Sequence, residues 1–105
     1  MKVVCVQTNP EFKNPAKSKK RIQAVLDDLN GPVDLIVMPE MALVGYKFIS
    51  PEDIMPYCEI VCSQTQNITP DMTTLSFAHE TSKKFQAWIA CGFAERASDG
   101  KLYNS

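Results

Sequence analysis

The chain has 105 residues, of which 45% are apolar and 22% are charged, a composition that is ordinary for a globular protein of one small domain. The net charge of −1 lacks the basic excess that nucleic-acid binding requires, so we expect no nucleic-acid partner. No stretch approaches the roughly 18 consecutive apolar residues of a membrane span, so we expect no membrane partner.

Two local features bear on partners and on compartment. The basic run at residues 17–21 lies on a predicted helix, where it is typical of a solvated face and only weakly indicates an anionic partner. The apolar residues 1–6 are too few for the core of a signal peptide. We therefore expect an intracellular, reducing compartment, the cytoplasm with the nucleus as an alternative, in which the four cysteines are thiols.

The first predicted elements are a strand and a helix. The segment 2–7 is short and rich in valine and is followed by Asn9-Pro10, a pattern that predicts a strand. Asn14-Pro15 is typical of a helix start, and Asn30-Gly31-Pro32 predicts its end. Apolar residues fall at helical spacing between these signals, namely Ile22, Val25, Leu26 and Leu29.

Residues 33–38 predict a second strand. Their four consecutive apolar residues, 35–38, indicate burial on both faces, as in a parallel sheet. A strand, a helix and a second strand form a βαβ unit with a right-handed crossover. The long connection that follows, residues 41–69, is typical of a functional loop, and residues 51–54 within it could form one helical turn.

The last third of the chain predicts a helix and two strands. A helix is expected to start at Thr69-Pro70-Asp71 with a buried stripe of Met72, Leu75, Ala78, Ser82 and Phe85. Residues 87–94 predict a third strand, apolar on both faces, and residues 98–101 a hairpin turn before a fourth strand that starts at Leu102. Two right-handed crossover helices cannot cover both faces unless the strand order reverses, so we expect a missing second layer or a partner.

Glu40 comes directly after the second predicted strand. In open α/β sheets, ligands bind outside the carboxyl ends of the strands. A carboxylate at such an end is costly unless a neighbour pairs it or a reaction uses it. Position alone therefore leaves two interpretations: a general base or acid, or a structural glutamate that caps a helix or forms a salt bridge. Tyr46 and Phe48 follow on the long loop and either line a pocket around Glu40 or only pack the loop.

The cysteines and the single histidine offer little chemistry. Cys5 and Cys91 lie in apolar strands and are expected to be packed thiols with a raised pKa and poor nucleophilicity. Cys58 and Cys62 have the spacing of a metal half-site without a second half, or could form a disulfide in an oxidising setting. His79 is expected to be a partly buried structural residue.

The segment Pro39-Glu40-Met41-Ala42-Leu43-Val44-Gly45-Tyr46 strongly resembles the glutamate segment of the nitrilase (carbon-nitrogen hydrolase) superfamily. Residues 2–10 resemble its first strand and residues 33–39 its second. Gly92-Phe93-Ala94-Glu95 and Leu102-Tyr103-Asn104-Ser105 resemble its third strand and the entry to its fourth. Further segments are most similar to the N-terminal amidase branch, at residues 42–48, 52–57, 82–86 and 101–105. Residues 58–69 fit this branch poorly and look like an insertion.

The resemblance implies an α/β fold that forms the N-terminal part of an αββα four-layer sandwich, which would supply the cover that the strands lack. It also implies a Glu-Lys-Cys triad, in which the cysteine attacks an amide carbonyl, the glutamate is general base and acid, and the lysine stabilises the oxyanion. Only the glutamate maps onto this sequence, at Glu40. The lysine and cysteine would follow Ser105, so residues 1–105 would be the N-terminal portion of one domain, truncated before both.

In the N-terminal amidase branch, the implied substrate is the side-chain amide of an N-terminal Asn or Gln on a protein or peptide, and its deamidation feeds an N-terminal degradation signal. Tyr46 and Asn104 are then expected to bind substrate, and no metal or organic cofactor is implied. We expect this chain alone to be inactive, with the missing part of the domain or a second copy as its partner. Two alternatives stay open: an amidase or carbamoylase for small molecules, and a non-catalytic interaction module.

Overall fold

Two small sheets organise the chain in the computed structural model, which describes residues 1–61 and 73–105. Three parallel strands, β1 (Val3–Cys5), β2 (Leu35–Val37) and β3 (Trp88–Ala90), pair in the order β1-β2-β3. An antiparallel hairpin of β4 (Ala94–Arg96) and β5 (Leu102–Asn104) forms the second sheet. The predicted parallel βαβ unit and the predicted turn before Leu102 are both confirmed.

Helix α1 (Pro15–Asp27) crosses between β1 and β2. The side chain of Asn14 accepts a hydrogen bond of 3.0 Å from the main-chain N–H of Lys17, so it caps the helix as predicted. Ile22 and Leu26 of the predicted stripe are fully buried, but Val25 is 41% exposed. The buried face of α1 therefore includes fewer residues than its apolar pattern predicts.

A single helical turn, α2 (Pro51–Ile54), interrupts the long connection as predicted, and a 3₁₀ turn (Met55–Tyr57) follows it. The hydroxyl of Ser50 accepts from the main-chain N–H of Asp53 at 3.2 Å and caps the turn. No helix in the described part of the chain is long and apolar enough to cross a membrane.

Helix α3 (Thr73–Phe85) precedes β3, and its buried face differs from the predicted one. The residues facing the core are Thr74, Phe77 and Thr81, whereas the predicted Leu75, Ala78, Ser82 and Phe85 are half-buried. Phe77, the largest buried side chain of the helix, faces the core. The hydroxyl of Thr81 donates a hydrogen bond to the Phe77 carbonyl at 2.7 Å, and because its polar group is thereby paired, Thr81 can be buried. The predicted helix start and Met72 lie outside the described residues.

Both long helices cover the same face of the parallel sheet. Ion pairs of Lys19 with Glu80 (3.4 Å) and of Lys84 with Asp27 (2.7 Å) join α1 to α3. Val4, Ile36 and Ile89 form one row across the strands, and all three lie in or against the core. The alternate positions face away from the helices. On the outer strands they are exposed, at Val3, Cys5, Trp88 and Ala90, and on the central strand they are half-buried.

The prediction that the strands are buried on both faces is therefore wrong for this chain. The strand order does not reverse, so both crossover helices pack on one face and leave the second face without cover. The prediction that a second layer is missing agrees with this arrangement.

The predicted third strand also needs correction. Residues 87–94 do not form one strand: β3 ends at Ala90 and β4 begins at Ala94, in the other sheet. Between them the chain passes close to the main chain of Glu40 at Gly92, which takes it out of the parallel sheet.

Candidate active site

Glu40 lies at the carboxyl edge of the parallel sheet, three residues after the end of β2. The buried Met38 extends the pairing with β3, since its N–H donates to the Ala90 carbonyl at 2.8 Å. Pro39 then ends the strand, and Met41 adopts a left-handed conformation (φ 47°) in the turn that follows. The side chain of Glu40 is exposed at this turn, in the position expected from the sequence.

The backbone of Gly92 lies close to that of Glu40. Its N–H donates to the Pro39 carbonyl at 3.4 Å, and its carbonyl accepts from the N–H of Ala42 at 3.3 Å. A Cβ atom at position 92 would lie 2.8 Å from the Glu40 Cα, closer than real Cβ contacts occur. The sequence analysis missed this residue as part of the site, although a glycine inside a strand pattern is a known sign of close backbone approach.

Asn104 reaches Glu40 from the second sheet. Its side-chain amide Nδ2 donates a hydrogen bond to the Glu40 Oε1. The hairpin register places Asn104 opposite Ala94, and Phe93 and Ser105 exchange two main-chain hydrogen bonds of 2.9 and 3.0 Å just beyond that pair. These bonds hold the end of β5 beside the Gly92 turn.

Tyr46 contacts Glu40 from the long connection. Its hydroxyl donates to the main-chain carbonyl of Glu40 at 2.9 Å, and the residue is 58% exposed. Partial desolvation, followed by the negative charge of Glu40, raises the pKa of Tyr46 above its ordinary value of 10.0. The hydroxyl is therefore a neutral hydrogen-bond donor at physiological pH, and the structure brings together all three site residues expected from the sequence.

A buried segment positions Tyr46. Residues 42–44 are all buried in the core, and the N–H groups of Val44 and Gly45 close a turn onto the Met41 carbonyl at 3.2 and 3.0 Å. Gly45 adopts a left-handed conformation (φ 76°) beside Phe12. On the far side of Tyr46 lies an open cavity of about 330 Å³, lined by residues 9–12 and 45–47.

Phe48 packs the long connection against Phe12 and Tyr57. Its ring lies 5.0 Å from the ring of Phe12 and 5.6 Å from that of Tyr57, and the Lys13 ammonium lies 5.8 Å from it. Lys13 in turn forms an ion pair with Asp53 of α2. Of the two interpretations of Phe48, loop packing agrees with these contacts.

The surroundings of Cys91 and Cys58 disfavour the thiolate form. Burial raises the pKa of Cys91, and the negative charge of Glu59 raises it further. Burial also raises the pKa of Cys58, partly offset by Arg96. Cys5 is exposed on the uncovered face of the sheet, so the prediction that it is packed is wrong for this chain. Cys62, and with it the suggested metal half-site or disulfide, lies outside the described residues.

Two further expectations concern metals and His79. Residues 1–61 and 73–105 contain no group of three or more His, Cys, Asp or Glu side chains arranged to hold a metal ion. His79 is exposed on α3, so the prediction of a partly buried histidine is wrong.

The basic run at 17–21 is largely paired within the chain, since Lys17 and Arg21 both bind Glu11, at 3.0 and 2.6 Å.

Known proteins are similar to this chain in sequence and in fold. Protein N-terminal amidase of Saccharomyces cerevisiae is 32% identical over the whole chain. The crystal structure of N-terminal amidase with a Gln-Gly peptide is 30% identical and superposes on 98% of the chain with a TM-score of 0.82. A structure of N-terminal amidase with an Asn-Glu peptide is 31% identical over the same share, with a TM-score of 0.81.

The chain spans only part of each of these proteins. It corresponds to 22% of the length of the yeast protein and to 23% of each chain in the two solved structures. Its fold is that of the matched part of the carbon-nitrogen hydrolase domain, as the resemblance implied. Since residues 2–105 match the model of the carbon-nitrogen hydrolase family, the chain belongs to that family.

Proposed function

We propose that this chain supplies the general base of an amidase that deamidates an N-terminal Asn or Gln on proteins. The observation that carries the proposal is the exposed carboxylate of Glu40, fixed at the carboxyl edge of the sheet by contacts from two other parts of the chain. Support for the substrate comes from the similarity to N-terminal amidases whose structures contain Gln-Gly and Asn-Glu peptides.

In this proposal Glu40 takes a proton from a cysteine thiol, and the thiolate attacks the side-chain amide carbon. Glu40 returns the proton to the leaving nitrogen, so that ammonia departs and a thioester remains. It then takes a proton from water, which attacks the thioester, releases the acid and restores the thiol. A lysine ammonium stabilises the oxyanion of both tetrahedral intermediates.

We propose that the cysteine and the lysine are contributed by residues outside 1–105. The raised pKa of Cys91 and of Cys58 argues against either as the nucleophile. The 105-residue chain alone is therefore expected to release no ammonia from a peptide with N-terminal Asn. Turnover by the purified chain that Glu40→Gln abolishes would contradict this part of the proposal.

The decisive measurement is ammonia release by the whole protein that carries these residues, with peptides beginning in Asn or Gln and with free small ω-amides. Glu40→Gln is expected to reduce kcat by at least about 100-fold, within the range found for general bases. Glu52→Gln, an exposed glutamate on α2, is the matched control and should leave kcat unchanged. Turnover of the small amides but not of the peptides would assign the site to a small-molecule amidase instead.

A further inference from the structure

We propose that Gly92 and Asn104 are positioning residues for Glu40: Gly92 fixes its main chain and Asn104 fixes its carboxylate. The inference rests on the proposed role of Glu40 as general base and deepens it. Neither residue adjoins Glu40 in sequence, since Asn104 is 64 positions away. The segment between the two sheets and the end of β5 therefore both contact Glu40.

The main-chain contact leaves no space for a side chain at position 92. A Cβ there would lie 2.8 Å from the Glu40 Cα, 3.2 Å from the Met41 nitrogen and 3.4 Å from the Glu40 carbonyl carbon. All three atoms are backbone, so no rotamer change can relieve the overlap. Even an alanine at position 92 must therefore displace the turn that carries Glu40.

The side-chain contact fixes the direction of the carboxylate. An ionised glutamate only accepts hydrogen bonds, so the Asn104 group that faces Oε1 must be the amide NH₂. A hydrogen bond to a charged acceptor is stronger than one between neutral groups. Asn104 thus holds one carboxylate oxygen and limits rotation of the other.

The second sheet holds Asn104 in place. β5 pairs with β4, and the two hydrogen bonds between Phe93 and Ser105 continue that pairing up to the Gly92 turn. Gly92 and Asn104 therefore belong to hydrogen-bonded neighbouring segments that contact Glu40 at two points. For this reason we assign Asn104 to positioning rather than to direct contact with substrate.

The first test measures kcat and KM of the whole protein that carries these residues, with a peptide beginning in Gln. Asn104→Ala should lower kcat about 10- to 100-fold, the cost of one hydrogen bond to a charged group. Gly92→Ala should lower kcat about 100-fold, as small misplacements of catalytic groups do. KM should change little in both variants, because neither residue touches the substrate.

Three further variants separate positioning from general damage to the fold. Asn104→Asp keeps the shape of the side chain but cannot donate when ionised, so it should lose as much kcat as Asn104→Ala. Tyr103→Phe, the neighbour on β5, should leave kcat unchanged. Gly31→Ala strains a left-handed glycine (φ 77°) in open space, so it tests whether any costly glycine replacement lowers kcat. An Asn104→Asp variant with unaltered kcat would overturn the positioning role of Asn104. A Gly92→Ala variant with unaltered kcat would overturn the positioning role of Gly92.

The second test needs no activity and uses the 105-residue chain. The side-chain NH₂ resonances of Asn104, recorded by ¹H–¹⁵N NMR, should shift upfield in Glu40→Ala and stay in place in Glu52→Ala. Unmoved Asn104 signals in Glu40→Ala would overturn the positioning role even if the amidase activity exists. A shifted signal together with a whole protein that lacks Glu40-dependent activity would refute the proposed function and leave the contact established.

Discussion

Cys91 adjoins Gly92, whose backbone approaches that of Glu40, yet the thiol and the carboxylate have different surroundings. Glu40 is exposed, whereas the adjacent residue to Gly92, Cys91, is half-buried against the core. Burial and the negative charge of Glu59 both oppose ionisation of the Cys91 thiol. Proximity to a candidate base is therefore not enough to make this cysteine a nucleophile.

This difference predicts the order in which the thiols react. In the 105-residue chain near neutral pH, diluted until it is monomeric, iodoacetamide should modify the exposed Cys5 well before Cys91, as followed by mass spectrometry of the digested protein. Because its pKa is raised, Cys91 should reach half-maximal reactivity only above its ordinary pKa of 9.0. A Cys91→Ser variant identifies the peptide signals. Equal modification rates of the two residues near neutral pH would contradict the prediction.

At the scale of elements, Glu59 connects the start of α3 to the second sheet. The residue is 4% exposed, and its carboxylate accepts hydrogen bonds from the main-chain N–H groups of Thr74 (2.5 Å) and Leu75 (3.1 Å). These are groups at a helix start that have no partner within the helix, and the helix dipole favours a negative charge there. The main chain of Glu59 also bonds to Ala94 and Arg96 of β4, at 2.8 and 2.9 Å.

Removing this carboxylate should destabilise the chain. Glu59→Ala leaves one buried and one partly buried N–H group without their acceptor and is expected to lower the free energy of unfolding by about 1–3 kcal/mol. Glu59→Gln keeps one acceptor oxygen and should cost less. Glu80→Gln, an exposed glutamate on the same helix, is the control and should stay within about 0.5 kcal/mol of the unmodified chain. Urea unfolding followed by circular dichroism measures all three, and a Glu59→Ala chain as stable as the control would disprove the role.

At the scale of the whole molecule, one face of the parallel sheet is left uncovered by the helices. Trp88 is 82% exposed there and Val3 is 44% exposed, on a face that also carries Cys5 and Ala90. Apolar sheet faces of this kind promote association when nothing covers them. In the αββα arrangement of the family, this face would pack against further layers of the domain.

We therefore expect the isolated chain to self-associate through this face. Trp88→Lys should reduce the self-associated fraction measured by analytical ultracentrifugation, because a charge replaces the largest exposed apolar group of the sheet. Ile49→Lys is the matched control, since Ile49 is 91% exposed but lies on the long connection outside the sheet. If Trp88→Lys self-associates as strongly as the unmodified chain and the Ile49→Lys control, a different surface is responsible.

The sequence by itself determined those features that depend on neighbouring residues. Helix caps, the parallel pairing of the first two strands and the position of Glu40 follow from short patterns, because caps, periodicity and strand ends are local properties. The consecutive residues 39–46 were sufficient to indicate the family, and the match over residues 2–105 confirms it. The buried face of α3 was predicted wrongly, because packing buries Phe77 with two threonines rather than the more apolar stripe that begins at Leu75.

The resemblance placed Tyr46 and Asn104 at the site of Glu40, but only the tertiary structure decided which atoms of Glu40 they contact and added Gly92. The contact from Asn104 spans 64 positions, and the approach of Gly92 depends on where the chain leaves the parallel sheet between Ala90 and Ala94. No local pattern specifies such contacts, because they arise only when strands of two sheets are brought to the same edge. The sequence located the carboxylate, and the packing of the two sheets fixed its direction.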